Sequence, residues 1–177
     1  MLTFGPENAT LTVQTKRVGA ASKAGHDLLI EVTSWSATLD LGESPEATLT
    51  ADASSLRVLE GTGGVMTLDD DDKAGIGKTI DDEVLKGAPI EFRSTSVELS
   101  GDGGPARVNG ELELGGRRHP ISFELSLADG RLTGTAIVKQ TDWGMKPYTA
   151  LFGTLKVADE VEVAIEAALP DALELQQ

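Results

Sequence analysis

Two histidines are the first residues of this chain to test for catalytic chemistry. His26 is followed directly by Asp27, and an acid beside an imidazole can orient the ring for acid–base catalysis. The same pair also suits a turn at the start of a strand, where both side chains bind local backbone groups. His119 precedes Pro120 at another strand start, a position typical of a hairpin edge. The sequence therefore favours structural roles and predicts that the protein is not an enzyme, with His26 and Asp27 as the alternative catalytic pair.

The acidic residues 69–72 and 81–83 are the candidates for a metal site, specifically for calcium. The first run lacks the alternating oxygen ligands and the spaced glycine of a calcium-binding loop, and consecutive aspartates are typical of a solvated helix start. The chain has no cysteine, which excludes disulfides, thiolate nucleophiles and cysteine-based zinc sites. It also has no Gly-x-Ser-x-Gly elbow and no phosphate-binding glycine loop. We expect neither a metal nor a cofactor.

The net charge of −14 limits the partners of this chain. It argues against nucleic acid, which requires clustered Lys and Arg, and it disfavours an anionic membrane surface unless a local basic patch exists. No segment has the roughly 18 to 20 apolar residues that span a bilayer, and no signal peptide is evident at the amino terminus. We expect a protein that is not membrane-embedded and is cytoplasmic as the sequence stands, or periplasmic or secreted if a signal peptide was removed. A homodimer is compatible with the sequence.

The elements that position these residues are mostly strands, because apolar residues recur at every second position. The clearest case is residues 107–127. Its apolar positions are Val108, Gly110, Leu112 and Leu114 in one run and Ile121, Phe123, Leu125 and Leu127 in the next. A short Gly-Gly-Arg-Arg connection joins the two runs, which predicts an antiparallel hairpin. Residues 101–105 are predicted as the turn before it, residues 128–130 as the turn after it, and the tail after Pro170 as frayed.

Two segments depart from simple alternation. Apolar parity switches between Ile90/Phe92 and Val97/Leu99, which predicts a bulge or bend at residues 94–96. A second segment shows helical spacing, with apolar residues at i, i+4 and i+8. These are Ile76, Ile80 and Val84. We predict one helix over residues 70–86, laid against a sheet as a plug or lid and ended by Gly87 and Pro89.

About eight to ten short strands and one helix in 177 residues predict a single all-β domain over residues 1–177. The architecture is an antiparallel sandwich or a closed barrel. A barrel removes exposed sheet edges, and about eight strands enclose room for one small ligand.

The predicted hairpin also carries a family resemblance. Its frame NGELELGGRRHPISFEL resembles the Gly-x-Leu-x-Leu-x-Gly-x-x-x-Pro pattern of the YceI-like family. The matching positions are Gly110, Leu112, Leu114, Gly116 and Pro120. Residues 51–56, 90–95 and 141–145 are similar to flanking segments of the family.

The resemblance implies a lipocalin-like antiparallel β-barrel of about eight strands, with one helix near the middle of the chain, that holds a polyisoprenoid or similar amphiphilic lipid. It also implies a bacterial protein, mostly periplasmic or secreted in this family. Residues 61–85 depart from the family's usual acidic helix and following loop, and we predict that they shape the mouth of the cavity.

Large apolar residues are the predicted ligand contacts, because a lipid tail is held by burial in an apolar cavity. They are Trp35, Phe92, Phe123, Trp143, Met145, Tyr148 and Phe152. The last four fall in a loop-rich segment that rims a mouth, or alternatively caps the end of the barrel. For Phe92 and Phe123 the alternative is a place in the packed core. Arg93, Arg117 and Arg118 are candidates to pair an acidic head group if the fold brings one to the opening.

The function predicted from the sequence is therefore that of a noncatalytic lipid-binding or carrier protein. Two alternatives stay open. One is a stress-response or interaction module with a filled core, and the other is a small enzyme that uses His26 and Asp27.

Overall fold

The computed structural model describes residues 1–101 and 104–169. The turn predicted around Asp102 and Gly103 and the tail predicted to fray lie outside the described residues.

Antiparallel strands make up most of the described chain, and one helix interrupts them. Within the described residues fourteen strands, β1 to β14, span Leu2–Phe4, Ala9–Thr15, Arg17–Val18, Asp27–Val32, Trp35–Asp40, Glu46–Ala51, Leu56–Thr62, Ile90–Leu99, Ala106–Leu114, Arg117–Ala128, Arg131–Lys139, Thr149–Ala150, Leu155–Val157 and Glu160–Ala168. Eleven of them form one curled sheet in the order β1-β5-β6-β8-β9-β10-β11-β14-β2-β4-β7, and β12, β13 and β3 form a small second sheet.

The predicted fold class is confirmed, because the curled antiparallel sheet forms a half-barrel with one helix. The strand number is larger than predicted for two physical reasons. Long strands are divided at bends, and strands of only two or three residues, such as β3 and β12, are too short to show periodicity.

One long hairpin of the curled sheet is bent across its middle. Strands β4 and β5 form its first arm, and β6 and β7 form its second, so that β4 pairs with β7 while β5 pairs with β6. The ladder continues through the bend, since Thr33 N donates to Ser55 O and Asp52 N donates to Ser34 O, both at 3.0 Å. The two halves of this hairpin lie near opposite ends of the strand order. The bend therefore links two regions of the sheet that are distant in the ladder.

The hairpin of β9 and β10 forms as predicted, with a two-residue turn at Gly115 and Gly116. Both glycines have positive φ, 57° and 80°, which is the requirement of the tight turn that matches strand twist. Arg117 and Arg118 belong to β10 rather than to the connection. The predicted turn at residues 128–130 also forms, and β10 pairs through it with β11.

The predicted bulge lies in β8, where the register with β9 shifts between Ser94 and Ser96. Gly110 of β9 sits beside it. A Cβ on this glycine would lie 2.4 Å from the carbonyl oxygen of Arg93 and 2.5 Å from the ring of Phe92. The ring of Phe92 therefore occupies the space that a side chain at position 110 would need.

Gly110→Ala is expected to lower the free energy of unfolding by about 1–3 kcal/mol, the usual effect of overpacking. The added methyl group meets backbone of the neighbouring strand, which moves less readily than a side chain. Chemical denaturation measures the effect. Gly101→Ala is the control, because no atom of the described residues lies within 4 Å of a Cβ there. Equal stability of the two variants would contradict this account of Gly110.

The helix α1 spans Asp70–Thr79 and continues as a π-helical turn over Ile80–Leu85. Asp69 caps its first turn, accepting a hydrogen bond from Asp72 N at 2.8 Å while Asp72 accepts one from Asp69 N at 3.1 Å. Lys86 ends it in the left-handed conformation. The helix predicted over residues 70–86 is thus confirmed, and it packs against β7.

No helix in residues 1–101 and 104–169 is both long and apolar enough to cross a membrane.

Candidate functional site

The curled sheet and the helix enclose a cavity of about 810 Å³. This volume falls in the range of roughly 300–1,000 Å³ that is usual for sites that bind small molecules. The inward positions of nearly every strand of the large sheet line the cavity, and most of these side chains are aliphatic. Among them are Leu11, Val13, Leu28, Ile30, Leu49, Leu112, Leu114, Ile121, Leu132, Val161, Val163 and Ile165.

The helix covers one side of the cavity. Its apolar stripe, formed by Ile76, Ile80 and Val84, lines the cavity, and α1 itself has no buried residue. Leu85 in the π-helical turn is the buried residue that fixes this segment to the fold. The stripe therefore faces the cavity while it is partly buried against the surrounding core residues.

The cavity opens at the end where exposed side chains line it. Tyr148 and Lys156 contribute from the segment between β11 and β14, and Asp71 and Asp72 contribute from the start of α1. We call this end the mouth. In the described part of the chain, Lys156 forms no ion pair. The cavity wall beside it is apolar.

Arg17 also lines the cavity at the mouth, but its guanidinium is already engaged. Nη1 donates to the carbonyl oxygens of Gly25 at 2.7 Å and Thr62 at 2.9 Å. The backbone N–H of Arg17 donates to the carboxylate of Asp27 at 2.8 Å. Arg17 thereby joins β3 to the start of β4 and to the end of β7.

His26 lines the cavity near the same end, but it is not paired with Asp27. Its Nε2 lies 2.6 Å from the carbonyl oxygen of Met66. A carbonyl only accepts, so Nε2 is the donor in this hydrogen bond. The Asp27 carboxylate binds Arg17 N and lies 3.8 Å from Nζ of Lys16. The acid therefore does not orient the imidazole.

The structure brings four of the predicted ligand contacts to the cavity wall. They are Phe92, Phe123, Met145 and Tyr148. The rings of Phe92 and Phe123 pack with their centroids 5.3 Å apart. Their strands β8 and β10 flank β9, so the two rings meet across a strand whose Gly110 leaves room for them.

The other three predicted contacts do not line the cavity. Trp35 and Trp143 are buried in the packed core, and Phe152 is fully exposed. Nε1 of Trp143 donates to the carbonyl oxygen of Leu112 at 2.7 Å, and its ring lies 5.0 Å from that of His119. Trp143 therefore ties its loop to β9 through this hydrogen bond, which buried indole N–H groups usually make.

The arginines proposed from the sequence as head-group partners also lie away from the cavity wall. Arg118 pairs with Glu113 at 3.0 Å, and neither Arg93 nor Arg117 lines the cavity. The cations that do line it are Arg17 and Lys156. Sequence reasoning missed both, because their strands β3 and β13 have only two and three residues and their pairing is visible only in the fold.

The loop that leads to Trp143 is held by Asp159. Its carboxylate accepts hydrogen bonds from the Thr141 hydroxyl at 2.6 Å and from Thr141 N at 2.9 Å. The hydroxyl bond is the main cause that lowers the pKa of the Asp159 carboxyl from its ordinary value. The charged form is therefore favoured in the folded protein.

Because this pKa is lowered on folding, Asp159 stabilises the fold above the ordinary aspartate pKa, and the contribution is lost as pH falls through the lowered value. Asp159→Asn is expected to cost about 1 kcal/mol at neutral pH, the usual worth of a hydrogen bond. The difference from the parent protein should shrink in acid. Urea denaturation at pH 7 and pH 3 measures both, with the exposed Asp142→Asn as control. A difference that is independent of pH would contradict the role of the carboxylate.

In the described residues no three His, Asp or Glu side chains are grouped as a metal site requires. An antiparallel half-barrel around an apolar cavity defines the class of β-barrel binding proteins. The profile described as YceI-like domain matches residues 3–169. This chain belongs to the YceI-like family.

Solved structures of low sequence identity share the fold. BcnA of Burkholderia cenocepacia superposes with a TM-score of 0.64 at 15% identity, over 92% of this chain and 96% of that one. The YceI protein of Campylobacter jejuni gives a TM-score of 0.51 at 14% identity, over 80% and 85% of the two chains. A search of curated protein sequences gives no significant match.

Proposed function

We propose that this protein binds and carries a long apolar or amphiphilic molecule, of the polyisoprenoid type, in the cavity of its half-barrel. The observation that carries the proposal is a cavity of about 810 Å³ with an aliphatic wall. Burial of hydrocarbon contributes about 0.8 kcal/mol per CH₂ group, so a chain of several carbons binds without any polar contact.

Four aromatic or sulfur-containing residues are the proposed side-chain contacts of the ligand beyond the aliphatic wall. They are Phe92, Phe123, Met145 and Tyr148. At the mouth, the ammonium group of Lys156 is placed to meet a polar or anionic head group, because it is exposed and lines the cavity. The proposed orientation is therefore tail inward and head at the mouth.

An interaction module with a filled core is less well supported, because side chains do not fill the space between the sheet and the helix. An enzyme that uses His26 is also less well supported. Its presumed partner Asp27 is engaged by Arg17, and one ring nitrogen is committed to a backbone carbonyl. The proposed function is accordingly noncatalytic.

Mass spectrometry of organic extracts from the purified protein tests the proposal. We expect an apolar molecule in the extract, and we expect the extracted protein to bind the fluorescent probe N-phenyl-1-naphthylamine. An empty extract together with no binding of this probe would overturn the carrier function. Binding of the probe by itself would show an accessible apolar cavity and direct the search to the source of the ligand.

A further inference from the structure

Three segments surround the mouth and are fastened to one another. They are residues 16–26, 61–68 and 143–158, and we call them the mouth segments. Ala21 N donates to Thr154 O at 2.8 Å, and Ala158 N donates to Lys16 O at 2.7 Å. The bond of His26 to the Met66 carbonyl attaches the remaining segment. The mouth segments are therefore connected to one another by hydrogen bonds at this end of the cavity.

Exposed apolar side chains are concentrated on the mouth segments. Of the ten large apolar residues that are exposed in the described part of the chain, six belong to the mouth segments. They are Val18, Val65, Met66, Tyr148, Leu151 and Phe152. Exposed apolar residues that cluster, rather than scatter, mark an interaction site.

Phe152 stands at the tip of the hairpin formed by β12 and β13. The backbone has positive φ at three successive residues there, 50° at Leu151, 55° at Phe152 and 81° at Gly153. Left-handed backbone is unfavourable for a bulky residue, and such strain is found mainly at functional sites. The turn holds an aromatic ring in full contact with solvent, where it contributes nothing to the core.

The charge of the mouth segments is opposite in sign to that of the whole chain. They contain five cations, Lys16, Arg17, Lys23, Lys146 and Lys156, and no Asp or Glu, in a chain of net charge −14. Acids border these segments: Asp27 binds Arg17 and faces Lys16, Asp142 and Asp159 flank residues 143–158, and Asp71 and Asp72 at the start of α1 line the mouth. Lys23, Lys146 and Lys156 are exposed.

We propose that the mouth segments dock on the surface of an anionic lipid bilayer. Exposed aromatic and aliphatic residues interleaved with Lys and Arg are the composition of interfacial membrane contacts. The choice of a bilayer as partner rests on the proposed function, because an apolar cargo leaves or enters a membrane through the opening that faces it. A symmetric dimer through this surface is less favourable, since it would bring two sets of cations together.

Sedimentation with lipid vesicles tests the docking. We expect the protein to bind vesicles of phosphatidylcholine and phosphatidylglycerol, and to bind pure phosphatidylcholine vesicles more weakly. Phe152→Ser is expected to weaken binding roughly tenfold, the scale set by burial of one aromatic side chain. The double variant Lys23→Glu with Lys146→Glu should weaken binding to the anionic vesicles selectively, and added salt should do the same.

Ile137→Ser is the matched control, because Ile137 is 51% exposed but lies on β11, outside the mouth segments. It should bind vesicles like the parent protein. All variants should retain N-phenyl-1-naphthylamine, which separates loss of docking from loss of the cavity. Absence of vesicle binding, or binding that none of the mouth variants changes, would overturn the docking and leave the carrier function standing. A dimer that Phe152→Ser dissociates would identify a second copy as the partner and overturn it as well.

Discussion

Replacing Ala37 with tryptophan is expected to weaken ligand binding strongly while the protein stays folded. Ala37 lies on β5, lines the cavity and pairs with Phe4 on one side and Leu49 on the other. A tryptophan there extends into the unfilled space, so it removes volume that a ligand needs. The cost in stability should stay below the roughly 1–3 kcal/mol of overpacking in a solid core, because free space surrounds the new ring.

Titration with N-phenyl-1-naphthylamine measures this effect, and we expect the affinity to fall by roughly tenfold or more, because part of the ligand's apolar surface can no longer be buried. Ser36→Trp is the control, because Ser36 is the exposed neighbour on the same strand and its hydroxyl lies 3.0 Å from that of Thr50 on the outer face. Ala51→Phe provides a second variant that fills the cavity from β6. Undiminished binding in both folded cavity variants would contradict a ligand site inside the barrel.

Trp143→Ala is expected to destabilise the protein by about 3–5 kcal/mol, the usual cost of deleting a buried tryptophan. The side chain is only 3% exposed, and its Nε1 donates to the Leu112 carbonyl oxygen. The variant removes the packing of the indole and leaves that carbonyl without this donor. Because Leu112 also lines the cavity, ligand affinity should fall together with stability.

Urea denaturation of three variants separates the contributions. Trp143→Phe keeps most of the ring but loses the hydrogen bond, so we expect a loss of about 1–3 kcal/mol. Phe152→Ala should leave stability unchanged, because this ring is fully exposed. Equal losses for Trp143→Ala and Phe152→Ala would show that the two residues do not differ as the structure indicates.

Much of the local structure was predictable, because alternation of apolar residues reports directly on which face of a strand is covered. The parity switch in β8 predicted its bulge, and helical spacing predicted α1 together with the stripe that lines the cavity. The bent hairpin was not predictable. The sequence of its first arm predicts two separate strands. Only the backbone hydrogen bonding between residues 33 and 55 shows that the strands continue through the bend.

The sequence predicted which class of residue lines the candidate site, but not which individual residues line it. Large apolar residues were the right class to consider, yet Trp143 and Phe152 lie nine positions apart in one loop-rich segment and have opposite environments. Residue type cannot distinguish a ring that packs behind a strand from one that points into solvent, because long-range pairing decides it. Arg17 and Lys156 illustrate the same limit, since β3 and β13 meet only through tertiary structure.

The bent hairpin leaves the large sheet with two free edges, since in the described residues β1 pairs only with β5 and β7 only with β4. A free edge is a template on which other chains add as strands and aggregate. Here β1 is only three residues long, and the helix packs along β7. The helix therefore packs beside this free edge as well as covering one side of the cavity. If the helix moved away from the sheet to admit a ligand, the unpaired edge of β7 would become exposed. A long-lived open state would therefore favour aggregation.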